Sequence, residues 1–338
     1  MNYGLPYKGS KNGIAKKILD VLPAAPVLYD VFCGGCAITH AAMLSGKYSR
    51  VVANDINGMI PHAFETAMKG GFRNEDRWIS RGDFQNLYKT DPYVAICFSF
   101  GNNLHEYCYA RELEPYKRAL HYAIFWKDTG PWRELCPETA DALKKAVESE
   151  QDRHKRRIGA GRAIVKELKA GLMNGTIDPA VMDKPIYRKI RKEKTPGLRI
   201  KSAESVERLK SLETLQTDKS LCRLQSLERL DRINSVDVPP VLSVTTGNYK
   251  ALTFEQGGII YCDPPYKTTS ERYGRDFDFA GFYAWCEHQA NPVFISEYTM
   301  PEDLFVPVAS FTVTRKMDTK KSSICPEKIW RPRCQLDI

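Results

Sequence analysis

Near the C-terminal end, the apolar pair Ile259-Ile260 runs into Tyr261-Cys262-Asp263-Pro264-Pro265-Tyr266. An acid, two prolines and an aromatic make a poor core but a good holder for a flat ring that bears an amine. Proline fixes φ and has no N–H, so the loop is stiff and leaves backbone carbonyls unclaimed by local bonds. Asp263 and the Pro264 carbonyl can both accept hydrogen bonds from one exocyclic amino group. Pro265 stiffens the turn, and Tyr266 can stack on the ring. The same residues also read as an ordinary strand-to-turn exit, because Asp-Pro and Pro-Pro are common turn signals.

Two further groups could serve a ligand. Phe32, Gly34 and Gly35 follow an apolar run at 27–32. Glycines between a strand and a helix let a ligand approach the backbone. Roughly 20 residues on, Asp55 closes the next apolar run, where an acid can accept from ribose hydroxyls. The absence of G-x-G-x-x-G argues against a dinucleotide fingerprint. The spacing of Cys33 and Cys36 also fits a thioredoxin-like redox site, or half of a zinc site that lacks its second C-x-x-C. A third reading is that they are small residues packed close to a cofactor. Upstream, Tyr7-Lys8-Gly9-Ser10-Lys11-Asn12 precedes an amphipathic stretch with Ile14, Ile18 and Leu19. Lys11 can meet a carboxylate or phosphate and Tyr7 can stack, unless the segment is simply a solvated basic loop.

The elements that must position these groups are legible at both ends of the chain. Strand, glycine turn, helix (through Ala37, Ile38, Ala41, Ala42 and Leu44), strand at 51–55 and helix at 57–70 open a doubly wound sheet. Residues 94–100 form a third apolar run, followed by Gly101-Asn102-Asn103. From about 110 to 200 the pattern is helical and charged, with no clear strand. Strands return at 241–245, 258–262, 292–296 and 311–314, with an aromatic-rich helix near 279–290. The expected organisation is a catalytic domain of residues 1–95 and 241–338, interrupted by a mainly helical insertion at 96–240. Leucines at 209, 212, 215, 221, 224, 227 and 230 recur every third residue, a period that matches neither helix nor strand. We read about 205–235 as a helical or irregular connector without catalytic content.

The chain has 338 residues, 43% hydrophobic and 27% charged, which is ordinary for a soluble globular protein. It shows no apolar leader and no run of 18 apolar residues, so neither a signal peptide nor a membrane span is expected. Its ten cysteines are scattered, several within apolar stretches, which suits buried thiols in a reducing cytoplasm. The net charge of +9 is concentrated: residues 151–201 carry 15 Lys and Arg against 5 Asp and Glu. Such a block in a nearly neutral body points to a polyanion, or else to a solvated insertion.

Taken together, Y-K-G-S-K, D-V-F-C-G-G, N-D-I-N and finally Y-C-D-P-P-Y resemble, in kind and order, the Dam-like (alpha-group, D12 class) DNA N6-adenine methyltransferases. Val293-Phe294-Ile295-Ser296 and Arg315-Lys316 add to the likeness. S-F-G-N-N and F-I-S-E-Y are closest to the phage-type branch. The resemblance covers roughly residues 1–110 and 241–325. It implies an α/β, Rossmann-like S-adenosylmethionine-dependent methyltransferase sheet with an inserted, mainly helical DNA-recognition region. Tyr7, Lys11, Phe32, Gly34, Asp55 and Asp263 would bind the cofactor, with Lys11 near its carboxylate end and Asp55 on its ribose. Asp263, Pro264, Pro265 and Tyr266 would hold an adenine flipped out of double-stranded DNA. Asn102, Asn103, Arg153, Lys155, Arg156 and Arg157 are the expected DNA contacts. No metal, no cysteine nucleophile and no obligate protein partner is expected. Cys36 stands where the family's F-x-G-x-G has its last glycine, and residues 99–109 do not copy the hairpin of GATC-reading members, so no recognition sequence is carried over. The alternatives are an N4-cytosine or RNA N6-adenine methyltransferase, a catalytically silent DNA-binding module and a thioredoxin-like redox protein.

Overall fold

The computed structural model describes residues 3–187, 219–230, 240–266, 277–315 and 323–336. The chain folds into two compact units, residues 1–73 with 226–338, and residues 74–225. The sequence places the changeover at 95/96 and 240/241. The compact units divide at 73/74 and 225/226, with the helices that begin at Arg81 and Pro92 in the second unit.

The first unit is built on a seven-stranded sheet. Its strands are β1 (Val27–Asp30), β2 (Arg50–Asp55), β3 (Val241–Thr246), β4 (Ile259–Cys262), β5 (Val293–Glu297), β6 (Phe305–Arg315) and β7 (Ser323–Pro332). They lie in the order β3-β2-β1-β4-β5-β7-β6. Neighbours from β3 to β5 pair parallel, while β7 pairs antiparallel with both β5 and β6 and is therefore the one reversed strand among the described residues. β1, β4 and β5 are buried along their whole length, as strands covered on both faces must be. The helices of this unit include α1 (Ala15–Val21), α2 (Ala37–Met43) and α3 (Met59–Met68). The strand order reverses between β1 and β4, the switch point at which open α/β sheets bind ligands beyond their carboxyl ends. In register, Asp30 lies level with Ala53 on one side and Tyr261 on the other, so the ends of β1, β2 and β4 come together there.

β7 is the strand that the sequence pattern hides. Pro326 interrupts it, yet the β5 ladder takes only Lys328–Trp330, so the proline faces one neighbour and displaces no bond to β5. The expected strand at 311–314 is the end of the longer β6.

The second unit is helical. It contains α4 (Arg81–Leu87), α5 (Pro92–Phe98), α6 (Glu114–Trp126), α7 (Gly130–Leu135), α8 (Ala140–Glu148) and α9 (Arg153–Asn174). The apolar run at 94–100 falls mostly in α5. Its start signal is the Asp91 carboxylate, which caps the amides of Tyr93 and Val94 with Pro92 in the first turn. α9 is capped in the same way by Asp152 on the amides of His154 and Lys155. It ends at Gly175, whose φ of 76° an L side chain would resist. α10 (Lys219–Glu228) carries the chain across the boundary between the units. Leu221, Leu224, Leu227 and Leu230 are all buried. Leu209, Leu212 and Leu215 lie outside the described residues, as do Lys316 and residues 188–201 of the basic block. No described helix is long and apolar enough to cross a membrane.

Candidate active site

Asp263 leaves the end of β4 and forms an ion pair with Lys11, Nζ to Oδ1 at 2.8 Å, with the side chains 11% and 19% exposed. Lys11 begins a short 3-10 turn (Lys11–Gly13) that Ser10 caps, and this turn fixes the direction in which the lysine leaves the backbone. Burial by itself would lower the Lys11 pKa, but the carboxylates of Asp263 and Glu327 outweigh it and hold the ammonium above its ordinary value. Burial raises Asp263, against the pull of Lys11. The proton therefore stays on the lysine. The carboxylates that Lys11 meets in the fold are those of Asp263 and, at 3.9 Å, Glu327.

Tyr266 is buried. Its ring carries the Lys11 ammonium at 4.6 Å from the centroid and meets Tyr298 edge-on, also at 4.6 Å. Its hydroxyl donates to Glu327 Oε1. Glu327 was not among the sequence candidates. The signal for it is an acid at an inward position of an alternating strand, with Glu327 and Ile329 buried while Pro326 is exposed and Lys328 half-buried. Among the described residues the Pro264 carbonyl makes no hydrogen bond, as the two prolines predict.

Asp55, at the end of β2, accepts from Gly34 N through Oδ2 and from Asn57 N through Oδ1, both at 2.9 Å. Burial raises its pKa, and these two amides oppose the rise. Next to it, Asn54 donates to Val31 O and Gly247 O and accepts from Thr245, which locks the ends of β1, β2 and β3 together. Ile56 follows, 77% exposed, an apolar side chain left bare beside the acid.

Gly34 and Gly35 make room for Tyr7. A Cβ on Gly35 would come within 2.5 Å of Tyr7 Cβ, and one on Gly34 within 3.2 Å of its ring, at a φ of +45°. The N-terminal segment is docked onto this turn by Leu5 N to Gly35 O (2.7 Å) and by Gly4 N to His40 Nδ1 (3.0 Å). Burial lowers His40 to about 4, so the ring is neutral and its Nδ1 accepts. Phe32, half-buried, packs against Tyr249, Phe277 and Phe282.

Two features near the turn speak to its chemistry. The Sγ atoms of Cys33 and Cys36 lie 3.6 Å apart, both buried, and burial raises both thiols. A redox dithiol needs an accessible, acidified thiol, which this pair is not. Asp30, 1% exposed, binds the amide and hydroxyl of Thr39 with Oδ2, but Oδ1 has no hydrogen-bond partner among the described residues. Burial pushes its pKa up to about 7. Thr39 opposes that rise, and the nearby charges of Asp263 and Asp55 add to it.

In the second unit the expected DNA contacts separate. Asn103 is turned inward: its Oδ1 accepts from the amides of His105 and Glu106, and its Nδ2 donates to Glu106. It ties the 99–107 loop, closed by a bridge between Ser99 and Tyr107, and leaves Phe100 57% exposed. Asn102 sits near the loop tip with a left-handed φ of 59°. Arg156 is buried, donating to Phe125 O at the end of α6 and to Gln151 O, both at 3.3 Å. It braces a helix C-terminus and is not placed to meet a phosphate. Arg153 is half-buried, donates to Glu75 O and lies over the Phe125 ring. Arg157 is half-buried, and Lys155 is exposed. Lys155 shares the outer face of α9 with Arg162 and Lys166, seven and eleven residues on and also exposed.

A sheet of this order, with acids gathered at the carboxyl ends of the strands beside its switch point, defines a Rossmann-like methyltransferase fold. Residues 7–117 match the family model of the D12 class N6 adenine-specific DNA methyltransferases. The protein is an adenine-specific DNA methyltransferase. The matched stretch takes in Tyr7, Lys11, Phe32, Gly34, Asp55, Asn102 and Asn103 and stops well before Asp263. No curated protein matches the chain.

Proposed function

We propose that the methyl donor is S-adenosylmethionine, and that the target adenine is flipped out of double-stranded DNA into the site at the end of β4. One observation carries the cofactor assignment. Around the switch point stand four carboxylates, Asp30, Asp55, Asp263 and Glu327, and Asp263 and Glu327 share the Lys11 ammonium. A site so charged, with the Asp30 Oδ1 buried and without a hydrogen-bond partner among the described residues, fits a cationic ligand. When bound, S-adenosylmethionine supplies a methyl group on a positively charged sulfur, activated for direct transfer to a nitrogen lone pair. Asp55 is the acceptor for ribose hydroxyls, Ile56 offers apolar surface to the purine, and Tyr7, Phe32 and Gly34 shape the wall. Asp263 and the Pro264 carbonyl accept from the adenine amino group and aim its lone pair, Pro265 holds the turn, and Tyr266 supports the ring. Lys11 keeps Asp263 ionised and in place.

The motif order and the S-F-G-N-N loop favour the Dam-like alpha group and its phage-type branch. Residues 1–95 and 241–338 would form the catalytic part and 96–240 the recognition part, acting in the cytoplasm. Methylation of random-sequence duplexes, followed by nucleoside mass spectrometry, tests the reading. N6-methyladenine appearing only with S-adenosylmethionine and in duplex DNA supports it. N4-methylcytosine, or methylation of RNA alone, overturns it.

The raised Asp30 pKa gives a pH signature. The unfolded carboxyl titrates near 3.8 and the folded one near 7. Between these values the folded state holds a proton that the unfolded state has lost, so stability falls as pH rises through that window and is level above it. A cation at Oδ1 favours the ionised form, so cofactor affinity should rise from pH 6 to 8 with proton release. Asp30→Asn should flatten both dependences, read by thermal melts and by calorimetry in two buffers of different ionisation enthalpy. A variant whose melting and binding track wild type at every pH refutes the assignment.

For DNA contact, the exposed α9 face replaces the 153–157 cluster. Lys155, Arg162 and Lys166 span about 16 Å of helix, enough to meet several phosphates. Changing all three to glutamine should flatten the slope of log affinity against log salt by up to about 0.9 per contact. Cofactor affinity should not change. An unchanged slope would mean that the face is merely solvated.

A further inference from the structure

Glu327 is an expensive residue for its place. It lies on β7, 3% exposed, where an apolar side chain would pack at less cost, and a buried carboxylate destabilises the fold unless it is paired. Among its partners are the Tyr266 hydroxyl and, at 3.9 Å, the Lys11 ammonium. Asp263 holds the same ammonium at 2.8 Å. Lys11 lies over one face of the Tyr266 ring, and Tyr298 touches its edge. These contacts limit where the ring can go, and at the far end of the side chain the hydroxyl bonds to Glu327 and lies within hydrogen-bonding reach of Asp263, so that Glu327 helps to set its tilt. Burial pushes the Tyr266 phenol well above its ordinary range, with Asp263 and Glu327 adding to the rise. The hydroxyl therefore keeps its proton and is the donor. A carboxylate from the reversed strand thus reaches back to the residue that closes the Asp263-Pro264-Pro265-Tyr266 turn.

We propose that Glu327 is a positioning residue for adenine methylation: through its hydrogen bond to Tyr266 it fixes the ring against which the target base is held. This role rests on the placing of adenine at Tyr266 under the proposed function. A tilted ring would leave the cofactor site intact and misdirect the amine. The loss should therefore fall on kcat and leave S-adenosylmethionine affinity alone.

The test is a cycle of Glu327→Ala, Glu327→Gln, Tyr266→Phe and the Glu327→Ala/Tyr266→Phe double variant, with thermal melts to confirm folding. Kinetics on duplex DNA and calorimetry with the cofactor supply the readouts. Glu327→Ala should lower kcat about 100-fold while cofactor affinity stays within about threefold. Tyr266→Phe, which keeps the ring and loses the hydroxyl, should show a similar loss, and the double variant should be no worse than either single. Glu327→Gln retains an acceptor and should recover at least about tenfold of what alanine loses, a rescue that a role in charge alone would not give. Additive losses, no recovery in glutamine, or Glu327→Ala within about twofold of wild type would each overturn the role. Wild-type turnover separates the two readings. A wild type that leaves adenine unmethylated sinks the proposed function and this role with it. A wild type that methylates beside an equally active Glu327→Ala sinks this role alone.

Discussion

Asp263→Ala is expected to lower the rate of adenine methylation by about 10²–10³-fold, with S-adenosylmethionine affinity changed far less. The carboxylate is proposed to accept from the amino group and hold the lone pair in line, which is worth most at the moment of transfer. The substitution also strips Lys11 of its 2.8 Å partner and leaves Glu327 at 3.9 Å as the nearest counter-charge. Breaking a buried pair from one side costs about 3–5 kcal/mol, so some of the effect on alanine could be structural. Asp263→Asn separates the two effects. It keeps the shape and one acceptor oxygen but not the charge, and it should lose most of the rate while melting close to wild type. Single-turnover kinetics with calorimetry on the same samples decide the matter. An asparagine variant within tenfold of wild-type kcat, by the same positioning argument, would remove Asp263 from the chemistry.

The second large effect should come from Asp55→Ala, which is expected to weaken S-adenosylmethionine binding by about 10–100-fold while slowing the transfer step little once the site is saturated. A ribose hydrogen bond is present in ground and transition states alike, so its loss appears in binding and not in kcat. The structure adds a second route to the same result. Asp55 fastens Gly34 N and Asn57 N, so alanine also releases the turn that forms the cofactor wall. Asp55→Asn can still accept from Gly34 N and should fall between alanine and wild type. Unchanged cofactor affinity in the alanine variant would count against any contact between Asp55 and the ribose.

The sequence by itself determined the parts of this protein whose signal is local. The apolar run at 27–32 and those that end in Asp55 and before Asp263 mark buried strands, and strand, glycine turn and helix follow from spacing alone. Proline stiffness made the Pro264 carbonyl legible, because it depends on two adjacent residues and nothing else.

What depends on distant residues was decided only by the tertiary structure. Lys11 and Asp263 are 252 positions apart, and no spacing rule says that one will neutralise the other. Glu327 entered the site because β7 is inserted in reverse between β5 and β6, a topology that its interrupting proline conceals. Gly34 and Gly35 read as room for a ligand, and only the fold shows that Tyr7 packs against both. Arg156 and Asn103 read as surface polar groups because charge and amide counts carry no direction. Helix packing turned the first onto carbonyls, and a tight loop turned the second onto its own amides. Composition establishes how many charges a segment carries, whereas only packing decides which of them face water. The reason is that burial of a long polar side chain is settled by the partners it meets across the fold, not by its neighbours in the chain.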